Sequence, residues 1–153
     1  MDPKVLVMVG SESDREAIRG CLDYLEKFGI PYEFVVSSAH RSPTRTGQLA
    51  LEARGRGFRV VICGAGMAAH LPGAVAARTT LPVIGVPLPG SHLSGVDSLH
   101  SIVQMPTGVP VATMAIGPAG AKNAAIFAAQ ILGLSDEEMA AKLDEFKEEL
   151  ARA

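Results

Sequence analysis

Short apolar runs that stop at glycine or at a turn alternate with helix-patterned stretches five times along this chain, and that alternation restricts it to one architecture. Lys4–Val9 (KVLVMV) is almost wholly apolar and halts at Gly10, as a parallel strand covered on both faces does. Asp14–Phe28 follows, with Ala17, Ile18, Cys21, Leu22, Leu25 and Phe28 at helical spacing. Ser13 with Glu16 forms a capping box at its start, and Gly29 ends it. Tyr32–Val36 reads as the second strand, and Ser42-Pro43 opens a helix that Gly57 closes after Arg56. Val60–Cys63, Pro82–Val86 and Val111–Met114 read as the remaining strands. Helices are predicted at Leu71–Thr79, around Val96, Leu99, Ile102 and Val103, and over Ala119–Leu132 before Gly133. Such alternation specifies a three-layer α/β sandwich around a parallel sheet with right-handed crossovers. Five strands suit the flavodoxin-like order 2-1-3-4-5 better than a six-strand dinucleotide fold.

A tail remains. Ser135 and Glu138 form a further capping box for an amphipathic helix whose Met139, Leu143, Phe146 and Leu150 lie on one stripe. No strand is left for that stripe to cover, so it is expected to pack on a neighbouring subunit. At 153 residues the chain is read as one domain, with 1–134 as the α/β unit and 135–153 as its added helix.

Composition closes off other classes. With 48% hydrophobic residues the chain has ample apolar surface to fold, and a net charge of −2 gives no footprint for nucleic acid. No apolar stretch reaches the 18 or so residues of a membrane span, so no membrane partner is expected. Met1-Asp2-Pro3-Lys4 runs straight into a strand, so no signal peptide is expected either. Cys21 and Cys63 read as buried thiols of a reducing cytoplasm rather than as a disulfide. Between Val60 and Leu134 only Arg78, Asp97 and Lys122 carry full charge. A stretch so poor in charge would leave apolar patches in water unless other copies of the chain covered them, so a homo-oligomer is expected.

Open parallel sheets bind ligands beyond the carboxyl ends of their strands. There the chain carries Gly10-Ser11-Glu12-Ser13-Asp14, then Ser37-Ser38-Ala39-His40-Arg41-Ser42-Pro43, then Gly64-Ala65-Gly66-Met67-Ala68-Ala69-His70-Leu71-Pro72-Gly73. The first loop offers Ser11 and Ser13 hydroxyls beside free amides, an arrangement that suits an anion, although capping by Ser13 and Asp14 explains it equally. Arg41 can clamp a phosphate or carboxylate, and His40 can exchange protons near neutral pH. His70 stands on the next loop of the rim, where it either serves the site or satisfies backbone groups under a helix start. His92 and His100 read as structural. No metal motif, acidic pair or nucleophile elbow is present. The residues alone point to a small phosphorylated ligand and histidine acid–base chemistry.

Taken together, the three rim segments resemble the signature of the N5-carboxyaminoimidazole ribonucleotide mutases of purine biosynthesis, the class I phosphoribosylaminoimidazole carboxylase catalytic-subunit family. Asp97-Ser-Leu-His-Ser-Ile-Val-Gln-Met-Pro106 and Ala115-Ile-Gly-Pro-Ala-Gly-Ala-Lys-Asn123 extend the likeness over nearly the whole chain. The resemblance implies transfer of a carboxylate from N5 to C4 of an aminoimidazole ribonucleotide, without a metal or organic cofactor. It also implies an octamer whose tail helices pack on neighbours, and it leaves open a hand-over of the labile carbamate from an upstream ATP-dependent synthetase. By the same resemblance His40 would be the catalytic residue, and Ser11, Ser13, Asp14 and Arg41 would hold the ribose phosphate. Ser38, Ala39, Gly64, Ala65, Gly66, Ala69, His70 and Leu71 would line the aminoimidazole and its carboxylate, with His70 in a supporting role. One position departs: the family's third segment usually reads Gly-Ala-Gly-Gly-Ala-Ala-His, whereas residue 67 here is methionine. Met67 either narrows the pocket or turns into the core. A related class carboxylates aminoimidazole ribonucleotide directly with CO2, but its Gly-Arg-Ser-Asn type of third segment is absent. A non-catalytic nucleotide-binding module is the alternative of another kind.

Overall fold

A computed structural model describes residues 4–153; the start at Met1-Asp2-Pro3, read above as leaderless, lies outside them. Five parallel strands stand in the order β2-β1-β3-β4-β5. They are β1 (Val5–Val9), β2 (Tyr32–Val36), β3 (Val60–Gly66), β4 (Val83–Leu88) and β5 (Ala112–Thr113). The helices are α1 (Arg19–Lys27), α2 (Pro43–Glu52), α3 (Leu71–Ala76), α4 (Val96–Val103), α5 (Pro118–Gly133) and α6 (Glu137–Arg152). This is the flavodoxin-like sandwich expected from the alternation. Among the described residues no helix is long and apolar enough to cross a membrane.

Successive side chains of a strand point to opposite faces, so each buried strand feeds two cores. Val5, Val7 and Val9 join Val60, Ile62, Ile84 and Val86 on the face covered by α1 and α5. Leu6 and Met8 join Val61, Cys63 and Val83 on the face covered by α2, α3 and α4. The buried side of α5 is made of Ala121, Ala124, Ala125, Ala128 and Ala129, small enough to let it lie close against α1 and the sheet. β3 and β4 run further than the sequence predicts, because the two stay paired beyond the last β1 partner at Gly64, Ala65 to Pro87 and Gly66 to Leu88. The edge strand β5 pairs on one side alone and is shorter than expected.

Two caps are corrected. Ser11, not Ser13, accepts an amide at the first loop, and it caps a 3-10 turn at Glu12–Asp14, so α1 starts only at Arg19. At the tail the cap is Asp136 rather than Ser135: its carboxylate takes the Met139 N–H at 3.2 Å. The stripe of α6 is also covered differently from the expectation. Met139 and Phe146 are buried within the same chain, with the Phe146 ring edge-on to Phe28 at 5.4 Å and to Tyr24 at 6.2 Å. The C-terminal part of α1 offers aromatic surface that no strand covers, and the tail folds back onto it. Lys142 Nζ fixes the docking by donating to the Phe28 carbonyl at 3.2 Å. Leu150 alone of the stripe stays largely in water, at 53% exposure.

Candidate active site

Strand register builds the site. Val9 of β1 pairs with Val36 of β2 and with Gly64 of β3, so β1 and β2 end level, β3 runs two residues further, and their loops leave the sheet side by side. The loop after β2 is held by buried hydroxyls. Ser37 and Thr46 Oγ atoms lie 2.7 Å apart, and Thr46 donates onward to the Ser38 carbonyl at 3.1 Å. That carbonyl also accepts the Ser42 amide at 2.8 Å, which ties the turn carrying His40 and Arg41 to the start of α2. The sequence marks Ser37 only as part of the rim loop and does not single out Thr46, because hydroxyls nine residues apart give no local signal of their pairing.

Arg41 is pinned but not used up. Its Nη2 donates to the Gly10 carbonyl at 2.8 Å and its Nε to Ser38 Oγ at 3.3 Å, leaving three of the five guanidinium N–H groups for a ligand. The Ser38 hydroxyl also accepts the Arg41 amide at 3.1 Å, so its own proton is free to be donated. In the first loop the Ser11 and Ser13 hydroxyls lie 3.0 Å apart. Asp14, half-buried behind them, has its carboxyl raised above the usual range by burial, against the opposing pull of the Ser11 hydrogen bond and the Arg41 charge.

Across the rim, His40 meets His70. Nε2 of His40 lies 2.6 Å from Nδ1 of His70, and the rings stand nearly perpendicular at 82°. Only one proton fits on the line between those nitrogens, so the pair can share or pass a proton but cannot present two N–H groups to each other. His70 is aimed by its place at the head of α3, its amide bound to the Ala68 carbonyl at 2.8 Å.

All these groups face one cavity of about 720 Å³. Ser11, Ser13, Asp14, Ser38, Ala39, His40, Arg41, Ala65, Gly66, Ala69, His70 and Leu71 line it together, as the sequence reading grouped them. Gly64 is not among the lining residues. It is buried inside β3, where a Cβ would stand 2.9 Å from Ile18 Cδ1, so glycine there lets the chain pack beneath α1. Ala17, Pro89 and Gly90 line the cavity without having been foreseen, the last two because β4 extends to Leu88 and carries its loop up beside β3. Met67 points to the rim and not to the core: it lines the cavity, is 65% exposed, and has φ 54. A side chain in that left-handed conformation costs about 1–3 kcal/mol. His92 and His100 are both exposed and outside this cavity.

Over residues 4–153 the sequence matches the family model described as AIR carboxylase. The chain belongs to that family. It is 57% identical over 148 residues to the N5-carboxyaminoimidazole ribonucleotide mutase of Saccharolobus solfataricus, covering 97% of this chain and 92% of that one. The Bacillus subtilis protein of the same name is 56% identical, with 97% and 91% covered. The crystal structure of Treponema denticola PurE superposes with a TM-score of 0.88 at 30% identity, over 98% of this chain and 92% of that one. The fold of this chain is thus that of the Treponema denticola structure, and the rim just described lies within the residues the family model matches.

Proposed function

We infer that this member of the family is an N5-carboxyaminoimidazole ribonucleotide mutase of purine biosynthesis. One observation carries the reading: a paired imidazole and a tethered guanidinium face the same cavity, in a chain more than half identical to mutases along almost its full length. The free N–H groups of Arg41, with the Ser11 and Ser13 hydroxyls, take the ribose phosphate, and Asp14 accepts from the ribose hydroxyls. Ser38, Ala39, Ala65, Gly66, Ala69, His70 and Leu71 surround the imidazole ring and its carboxylate.

His40 then acts twice. As imidazolium it protonates the carbamate nitrogen; the C–N bond breaks, its electrons stay on nitrogen, and CO2 is released into the cavity. The nucleophilic C4 of the ring attacks that CO2, forming the C–C bond. Neutral His40 removes the proton left on C4, restoring the aromatic ring and its own starting state. His70 supports this by holding the His40 Nε2 line and by offering the proton an alternative resting place. Recapture is fast because CO2 and C4 stay in one small volume, so the second step is effectively unimolecular.

The enzyme works in the cytoplasm as a homo-oligomer, an octamer by its resemblance, and takes a nucleotide as its partner. Exposed Leu93, Val96 and Val103, at and beside α4, supply apolar surface for contacts between copies. The test supplies N5-carboxyaminoimidazole ribonucleotide in one assay, and aminoimidazole ribonucleotide at low bicarbonate in the other. Turnover of the first is expected; strong turnover of the second with none of the first would make the enzyme a direct carboxylase. His40→Asn is expected to lower kcat by about 100-fold or more while nucleotide still binds. Retained turnover would remove His40 from the proton transfer, and nucleotide binding without turnover in the parent would leave a binding module.

A further inference from the structure

Met67 is an apolar side chain held in water by a backbone conformation that side chains avoid, at the mouth of the cavity where CO2 would be released. It follows Gly66, the last residue of β3, and precedes the small Ala68 and Ala69 that lead to His70. Pro89 and Gly90 border the same cavity on the β4 side. The polar half of the cavity, with Ser11, Asp14 and Arg41, needs no thioether. The half near the imidazole pair is lined by Ala39, Ala65, Ala68 and Ala69, too short to reach across an opening, and by Leu71, which is buried.

We propose that Met67 is a specificity-determining gate: its flexible thioether folds over the cavity mouth when ligand is bound and keeps released CO2 from escaping before C4 captures it. Its unbranched side chain can swing without moving the backbone, and the positive φ aims it across the rim instead of down into the sheet. Bound ligand supplies the apolar partner that Met67 lacks in the empty site, so closing accompanies binding. The role rests on the mutase reading.

The test follows the carbon. The enzyme converts unlabelled N5-carboxylated substrate in buffer containing 13C-bicarbonate and carbonic anhydrase, and the label in the product is measured. Label enters only when the released CO2 exchanges with solvent before the C–C bond forms. Met67→Ala and Met67→Gly are expected to raise the labelled fraction by about fivefold or more, with substrate KM within about twofold of the parent. Met67→Leu, which keeps the apolar bulk, is expected to stay near the parent. Met67→Gly relieves the positive φ, so it folds, and Met67→Ala retains the strain without the thioether; the two separate gating from backbone effects. Equal label in all four proteins overturns the gate, as does a change of assembly state on sedimentation, which would make Met67 a contact between copies. Parent enzyme that fails to turn over at all would sink the mutase reading instead.

Discussion

Burial works against the Asp14 carboxylate. Its folded-state pKa lies above the ordinary 3.8, so the folded chain holds that proton more tightly than the unfolded one does. Stability therefore falls as pH rises through the interval between the two values, and the loss persists above it. Asp14→Asn abolishes this loss. The variant is expected to gain in Tm over the parent at about pH 7 and to lose most of that gain near about pH 3, while binding nucleotide more weakly. A Tm difference that does not change between the two would mean that the carboxylate costs the fold nothing. Arg41 shows the complementary arrangement, since the Gly10 carbonyl and Ser38 hydroxyl orient a charge that still has donors to spare. Residue types at the rim were legible because each brings its chemistry with it. The role of Gly64 was not, since a glycine placed for Ile18 reads the same as one placed for a ligand.

At the scale of elements, the turn after β2 depends on the Thr46 hydroxyl, which joins Ser37 to the Ser38 carbonyl. Thr46→Val keeps the shape and leaves both partners short of a bond. It is expected to lose roughly 1–3 kcal/mol in urea unfolding and to slow turnover more than it raises KM. An unaltered unfolding midpoint would show that water replaces the hydroxyl. The tail helix is tested by Phe146→Ala, expected to cost about 3 kcal/mol at any protein concentration because the ring is buried in its own chain. A loss that appears only at high concentration would place the ring on another copy. The strand order was readable since apolar runs and capped helices alternate without interruption. Helix starts were less so: Ser11 and Ser13, like Ser135 and Asp136, are competing caps, and three-dimensional context chooses between them. The docking of α6 on Tyr24 and Phe28 joins segments more than a hundred residues apart, beyond the reach of any local pattern.

For the whole molecule, the stretch between Val60 and Leu134 that is so poor in charge has two destinations. Part of it fills the two cores, as β3, β4 and α5 show. Another part puts apolar side chains in water: Leu93 is 63% exposed, Val96 47% and Val103 46%. Sedimentation is expected to give an octamer, and Leu93→Glu with Val103→Glu a smaller species with an unchanged circular dichroism spectrum. A parent that sediments as a monomer would leave that surface without a purpose.

Because β1 and β2 finish level against Gly64 of β3, framing and chemistry are tied together. Dropping one residue from β1 would turn its valines toward the layer that receives Leu6 and Met8, and in the same stroke would draw the Gly10 carbonyl away from Arg41. A chain threaded one step out of frame would thus be both unsound and inert, so any screen for growth without added purines would also proofread the sheet.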